Sequence, residues 1–255
     1  MTRVISDMLT RTTLSGLSWD MSPRLPNCAV ERAIANRFTE LADNGWFPED
    51  LPADNAQLLQ LRKVVVPGPG KTILDAGCAR GRFAKQLVSS GARLYGVDLT
   101  ERFLQAARRN VPSANFVRGS ISALPFPAEM FDAVYCLEVL EHLPDTDLAL
   151  SELSRVLKPG GTLLVIDKSL RGLSAWSGLP GFVAKPWQEW RGKWMYSPDF
   201  VFREVWFWPG KLARQLRKYC RSVRFEYLTD GRGKASHIYR LIPFLSMDVA
   251  WIGHK

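Results

Sequence analysis

The apolar residues change period along the chain, and each change marks an element. Over 28–41, Val30, Ile34, Phe38 and Leu41 recur at helical spacing, and Asp43-Asn-Gly45 ends that helix. A second helix is predicted over 54–66, with Leu58, Leu59 and Leu61 on its apolar side. Pro67-Gly-Pro-Gly70 then punctuates the chain, so the main domain should begin near Lys71. From there short apolar runs alternate with helical patterns: strands over 72–76, 93–97, 115–117, 131–137 and 162–166, helices over 82–89, 101–109 and 147–157. Asp145 and Thr146 can cap the last helix, and Pro159 cannot continue it. No clean period runs from Ser169 to Trp208. A helix over 211–220 follows, then late strands over 223–228 and 247–252. Alternation of this kind predicts an α/β, doubly wound, mostly parallel seven-stranded sheet with helices on both faces. The expected partition is a leader with helices over 1–70 and a main domain over 71–255, with 169–209 as a lid-like insertion after the fifth strand.

Composition narrows the class. With 46% hydrophobic and 23% charged residues, the 255-residue chain reads as globular rather than disordered. No apolar run approaches the ~20 residues of a membrane helix. Residues 1–20 hold two arginines and several Ser/Thr but no apolar signal core, which fits a frayed tail or a transit peptide. Cys28, Cys78, Cys136 and Cys220 have no CxxC spacing, so neither a zinc site nor a disulfide framework is expected, and a reducing, cytoplasmic setting fits. The net charge of +9 is concentrated: 169–224 holds eleven Lys/Arg against Glu189, Asp199 and Glu204, together with six of the nine tryptophans. Such a stretch suits either a small aromatic core or a contact with an anionic membrane surface, peripheral to the bilayer. In the 211–220 helix, Lys211, Arg214, Lys218 and Arg221 fall near one face, as either a solvated face or an anionic-surface contact.

The candidate chemistry begins where the first main-domain strand breaks. Asp75 ends an apolar run, Gly77 and Gly81 flank a tight turn, and Asp98 closes the next strand. A strand, Gly-rich turn, helix, strand and terminal carboxylate describe half of a nucleotide-binding α/β site, in which the carboxylate takes ribose hydroxyls. The turn lacks the G-x-G-x-x-G spacing of dinucleotide sites. It resembles instead D-x-G-C-G-x-G, the first motif of class I S-adenosylmethionine (SAM)-dependent methyltransferases. Phe116-Val-Arg-Gly-Ser120, Leu124-Pro-Phe126, 131–137, Glu138-Val-Leu-Glu-His142 and Leu157-Lys-Pro-Gly-Gly161 follow in the order of that family. The resemblance covers about 71–168 and is strongest to the ubiquinone-biosynthesis type of O-methyltransferase and its small-molecule relatives. It implies SAM as cofactor, with Asp75, Gly77, Cys78 and Gly81 along the methionine part, Asp98 on the ribose and Leu99 against the adenine. It further implies Ser120 and Ile121 at the adenine edge and Leu137 beside the sulfonium. Two residues depart from the pattern: Ala79 replaces a glycine, and Ser120 stands where relatives carry an aspartate.

Glu138, Glu141 and His142, at i, i+3 and i+4, permit three readings: a divalent metal site, His142 as general base, or a polar edge of the active-site loop. Metal is not expected, for want of a downstream ligand. His237 and His254 receive no role. The function expected from the resemblance is methyl transfer to a small, hydrophobic or lipid-like acceptor, oxygen preferred. RNA ribose or ring methylation and a non-catalytic SAM-fold module are the alternatives. Leu137-Glu-Val-Leu stands where a base-amino methylating enzyme would carry an Asn/Asp-Pro-Pro-Tyr motif, which argues against that nucleic-acid subclass.

Overall fold

The strand that carries Asp75 is apolar enough to be buried on both faces, and it lies at the centre of the sheet. β1 (Thr72–Ala76) is buried at every position and pairs in parallel with β2 (Arg93–Asp98) on one side and β4 (Phe131–Leu137) on the other. The computed structural model describes residues 29–42, 47–173, 178–191, 202–229 and 241–255. Within them seven strands run in the order β3-β2-β1-β4-β5-β7-β6, with β3 at Asn115–Arg118, β5 at Leu157–Lys168, β6 at Ser222–Tyr227 and β7 at Asp248–His254. The first five are parallel, while β7 runs antiparallel to both β5 and β6. The chain moves outward from β1 to β3 and returns on the other side of β1. The carboxyl ends of β1 and β4 therefore frame a switch point, the place where open α/β sheets bind ligands.

Helices cover both faces. Leu58 and Leu61 of α2 (Ala56–Val64) and Leu104 and Ala107 of α3 (Glu101–Asn110) pack into one apolar cluster. Leu150 and Leu153 of α4 (Thr146–Val156) and Leu212 and Leu216 of α6 (Pro209–Leu216) pack into the other. Trp251 of β7 is fully buried, and its indole N–H donates to the Pro209 carbonyl at 2.8 Å, tying α6 to the sheet. α1 (Ala29–Leu41) and α5 (Gly181–Trp190) complete the described α-helices.

Several boundaries differ from the sequence expectation for local reasons. The predicted helix over 82–89 is a 3₁₀ helix, Ala84–Ser90, which begins without a side-chain cap at Phe83 and ends at Gly91 with φ +76°. Asp145 caps α4 as expected, accepting from the Leu148 N–H at 3.0 Å. β5 begins immediately afterwards, however, and the pairing shifts between Phe131↔Leu157 and Ala133↔Thr162, so Lys158-Pro-Gly-Gly161 interrupts the ladder. α6 starts two residues early because Pro209 suits a first turn. The Asp43-Asn-Gly45 stop signal, Cys28, Trp176, Trp194 and His237 lie outside the described residues. Among the described residues, no helix is long and apolar enough to cross a membrane.

Candidate functional site

The turn after β1 is held by the end of β2. The amides of Gly77 and Cys78 both donate to the Val97 carbonyl, at 2.8 and 3.0 Å. Gly77 has φ +83°, and a Cβ there would lie 2.4 Å from Val139 Cγ2, so both backbone and space require glycine. Ala79 also adopts a left-handed conformation, φ +43°. A non-glycine residue there is strained by roughly 1–2 kcal/mol, but its N–H donates to Asp98 Oδ2 at 3.0 Å, a charge-assisted bond that offsets the cost. Asp98 Oδ1 accepts from the Thr100 N–H at 2.8 Å.

Asp75, Gly77, Cys78, Asp98, Leu99, Ile121 and Leu137 all line one cavity of about 250 Å³ at the switch point. Burial pushes the Asp75 carboxyl up to about 7, against a hydrogen bond from the Tyr135 hydroxyl and with further upward pressure from Asp98. Burial likewise pushes Asp98 up to about 6, against the bonds from Thr100 and Ala79. The Oδ2 atom of Asp75 is buried without a hydrogen-bond partner. Two carboxylates thus face one cavity in a state that a cationic ligand would relieve. Burial also raises the Cys78 thiol, which marks it as a packing group and not a nucleophile.

Ser120, expected at the adenine edge, and Gly81, expected along the methionine part, do not line the cavity. Ser120 is buried behind it, donating to Glu31 Oε1 at 2.9 Å and accepting from the Ser122 N–H at 3.0 Å, while its neighbours Gly119 and Ile121 reach the cavity. Gly81 instead packs the turn: a Cβ there would sit 3.3–3.4 Å from Phe116, Ala107 and Val111.

The other end of the cavity is aromatic with one polar corner. Phe38, Phe47 and Phe103 meet edge-on or tilted, with centroids 5.0–6.4 Å apart, and the His142 ring stands edge-on to Phe38 at 5.1 Å. Burial lowers the His142 imidazole to about 4, opposed by Glu204, so it is neutral near pH 7. Lys168, at the end of β5, donates to Glu141 at 2.6 Å and to Glu204 at 2.8 Å, and His142 Nε2 lies 3.4 Å from Glu141 Oε1. The chain around Glu204 is pinned here through Val205 N–H to Glu141 O at 2.8 Å and Phe207 N–H to Lys168 O at 2.9 Å.

This corner corrects the expected Glu138/Glu141/His142 grouping. Glu138 takes φ +56° and pairs with Arg82 at 3.3 Å, while Leu140–His142 forms one 3₁₀ turn, so the three residues do not converge. Glu141, His142 and Glu204 do converge, with ligand-type atoms all within 4.8 Å of one another. A downstream carboxylate is therefore present, contrary to expectation. Its sequence signal was weak but real: Glu204 is one of three acids among eleven cations. Lys168 carried no signal, since nothing marks a strand-end lysine as the partner of two buried carboxyls.

The tryptophans of the 169–209 stretch divide. Trp206 is buried beside Gly181, whereas Trp190 is 80% exposed and Trp187 and Trp208 are about half exposed. In the helix predicted over 211–220, Lys218 is paired with Asp147 at 2.9 Å, so that face is not wholly uncompensated.

Residues 74–165 match the family described as methyltransferase domain. The chain is 36% identical over 142 residues to a ubiquinone biosynthesis O-methyltransferase of Thiobacillus denitrificans, covering 52% of this chain and 61% of that protein. It is 38% identical over 154 residues to a malonyl-[acyl-carrier protein] O-methyltransferase of Erwinia pyrifoliae, covering 59% and 58%. The match thus spans about three fifths of the length of these relatives. In fold it is similar to a SAM-dependent methyltransferase of Thermotoga maritima, with TM-score 0.60, 19% identity, and coverage of 87% of this chain and 99% of that one. Residues 74–165 are thus similar to a methyltransferase domain, and the seven-stranded sheet that carries them has the Rossmann-like fold of the class I methyltransferases.

Proposed function

We propose that this chain transfers a methyl group from SAM to the hydroxyl of a small, apolar or lipid-like acceptor. One observation carries the reading: a single cavity joins two carboxylates, Asp75 buried and Asp98 partly buried, at one end to an aromatic wall with a neutral imidazole at the other. The residues present fit the donor. Asp75 has an unpartnered buried oxygen, and Asp98 and the side-chain-free backbone of Gly77 line the same cavity. When bound, SAM supplies a methyl group already activated on a sulfonium. The protein then needs to orient an in-line attack and exclude water. Phe38, Phe47 and Phe103 would enclose an apolar acceptor, and the neutral His142 imidazole beside Phe38 would be the group to receive the hydroxyl proton. Oxygen as acceptor atom is favoured by the O-methyltransferase relatives.

α5 favours an acceptor drawn from a lipid surface, with 169–209 as a lid on the 71–255 unit. Its exposed positions are Phe182, Val183, Pro186, Trp187 and Trp190, an apolar stripe, with Arg191 over the Trp187 ring at 4.9 Å. Nearby, Arg171, Lys211 and Arg214 line a surface hollow with Trp208 and Phe225.

The test is a methyl-transfer assay with labelled SAM against pooled phenols, quinol precursors, lipids and RNA, preceded by calorimetry with SAM alone. Labelling of the phenol, quinol or lipid pool supports the reading. Labelling of RNA alone, or no SAM binding, overturns it.

A further inference from the structure

The corner formed by Glu141, His142 and Glu204 has the donor types of a divalent-cation site: two carboxylates and an imidazole, all buried, converging from separate parts of the chain. A cation already stands there. The Lys168 ammonium lies 2.6 Å from Glu141 and 2.8 Å from Glu204, bridging the two carboxyls. Its side chain leaves the end of β5, where pairing with β7 through Lys168↔Asp248 fixes the backbone, so the ammonium is delivered by a rigid element.

Four acids act on that ammonium: Glu141 and Glu204 in contact with it, and Glu138 and Asp167 nearby. Burial resists ionisation of Glu204, but the Lys168 ammonium outweighs it and holds that carboxyl down to about 2. Burial pushes Glu141 well above the usual carboxylate range, with Lys168 opposing and Glu204 adding to the rise. A divalent ion would have to displace the ammonium from between the two carboxyls and break both of its short contacts.

We propose that Lys168 is the resident cation of this corner: it occupies the place a divalent ion would take, excludes that ion, and holds Glu141 beside His142 at the acceptor end of the cavity. Lys168 is thus a positioning residue, acting through Glu141. Its removal uncovers a metal site that the wild-type chain does not use. The proposal depends on neither the donor nor the acceptor assigned above.

Mn²⁺ is the probe, followed by paramagnetic resonance of the free ion and by the melting temperature of the full chain. Wild type should leave the Mn²⁺ signal unchanged and melt identically with Mn²⁺ and with a chelator. Lys168→Met keeps the aliphatic stem and removes the charge, and it should bind Mn²⁺ at least about tenfold more tightly than wild type. Lys168→Arg, which keeps the charge, should behave as wild type. Lys168→Met/Glu204→Gln should lose the acquired binding. Gain of a metal is a readout that a merely structural lysine would not produce. The proposal is overturned if wild type binds Mn²⁺ as tightly as Lys168→Met, if Lys168→Met gains nothing, or if the double variant keeps the ion. Should Lys168→Met fail to fold by circular dichroism, wild type against Glu204→Gln decides. Mn²⁺ bound by wild type and lost in Glu204→Gln overturns the proposal; indifference of both to Mn²⁺ and to chelation supports it.

Discussion

The two ends of the cavity are built in opposite ways. The donor end is made by neighbours in sequence and sheet: the turn at Gly77 to Ala79 is tied by three backbone amides to Val97 and Asp98 at the end of the adjacent strand. The acceptor end draws Phe38, His142, Lys168 and Glu204 from four separate parts of the chain and joins them largely through side chains. Backbone bonds fix most of the first in place, with the Gly77 conformation and the Asp98 carboxylate as its two side-chain requirements. Buried charge and aromatic packing fix the second, so it should fail separately and be easier to disturb.

The largest test of that separation is Trp206→Ala. Trp206 is 3% exposed, packs on Gly181 and stands two residues from Glu204. Truncating a buried tryptophan costs about 3–5 kcal/mol, read from denaturant unfolding. In the fraction that remains folded, SAM affinity measured by calorimetry should change by less than about twofold. A parallel loss of SAM binding would show that the two ends are one unit.

A pH comparison reads the donor end. Asp75 titrates near 7 when folded, against 3.8 ordinarily, so folding takes up a proton between those values. The stability this group contributes is full below about pH 4 and is lost as pH rises through 7. Asp98 acts in the same direction up to about 6. His142 acts oppositely: held near 4, it costs stability as pH falls below its ordinary 6.5. The raw pH curve therefore mixes signs, and the difference between Asp75→Asn and wild type isolates one group. That difference should grow in favour of the variant from about pH 4 to 7, by a few kcal/mol at most. A flat difference in urea unfolding would mean that Asp75 is better solvated than its burial implies.

Asp98→Ala should weaken SAM binding by about 1.5–3 kcal/mol, through loss of charge-assisted hydrogen bonds. It also releases the Ala79 and Thr100 amides, so calorimetry belongs beside a stability measurement. Unchanged affinity would remove Asp98 from the donor site.

What could be read from the sequence follows the same division. The strand positions emerged from apolar runs because buried parallel strands must be apolar on both faces, as β1 and β4 are. Asp75, Gly77 and Asp98 were visible because their geometry is local. The acceptor corner was largely hidden. Spacing placed Glu138 with Glu141 and His142, but a positive φ turns Glu138 to Arg82, and no periodicity reports one residue's φ. Glu204 lies 63 positions from Glu141 in a stretch without pattern, and only the fold brings them together. Ser120 was aligned with a nucleotide contact, yet α1 supplies Glu31 as its partner, a contact between segments about ninety residues apart that spacing cannot reveal.

The smallest expected effect on stability concerns the outer surface of the acceptor half. Trp190 is 80% exposed, so Trp190→Ala should alter unfolding free energy by no more than about 0.5 kcal/mol. The same substitution, joined to Trp187→Ala, should nonetheless abolish sedimentation of the protein with anionic vesicles. Exposed aromatic rings gain free energy at a bilayer boundary that they do not gain in water. Binding should weaken as salt is added, because Arg171, Lys211 and Arg214 contribute by attraction to anionic headgroups. Stability and vesicle binding would thus separate within one stretch, Trp206 carrying the first and Trp187 with Trp190 the second. Should the wild-type chain ignore vesicles at low salt, the stripe on α5 is no lipid contact. The aromatic end of the cavity would then be read as serving an acceptor that arrives from water.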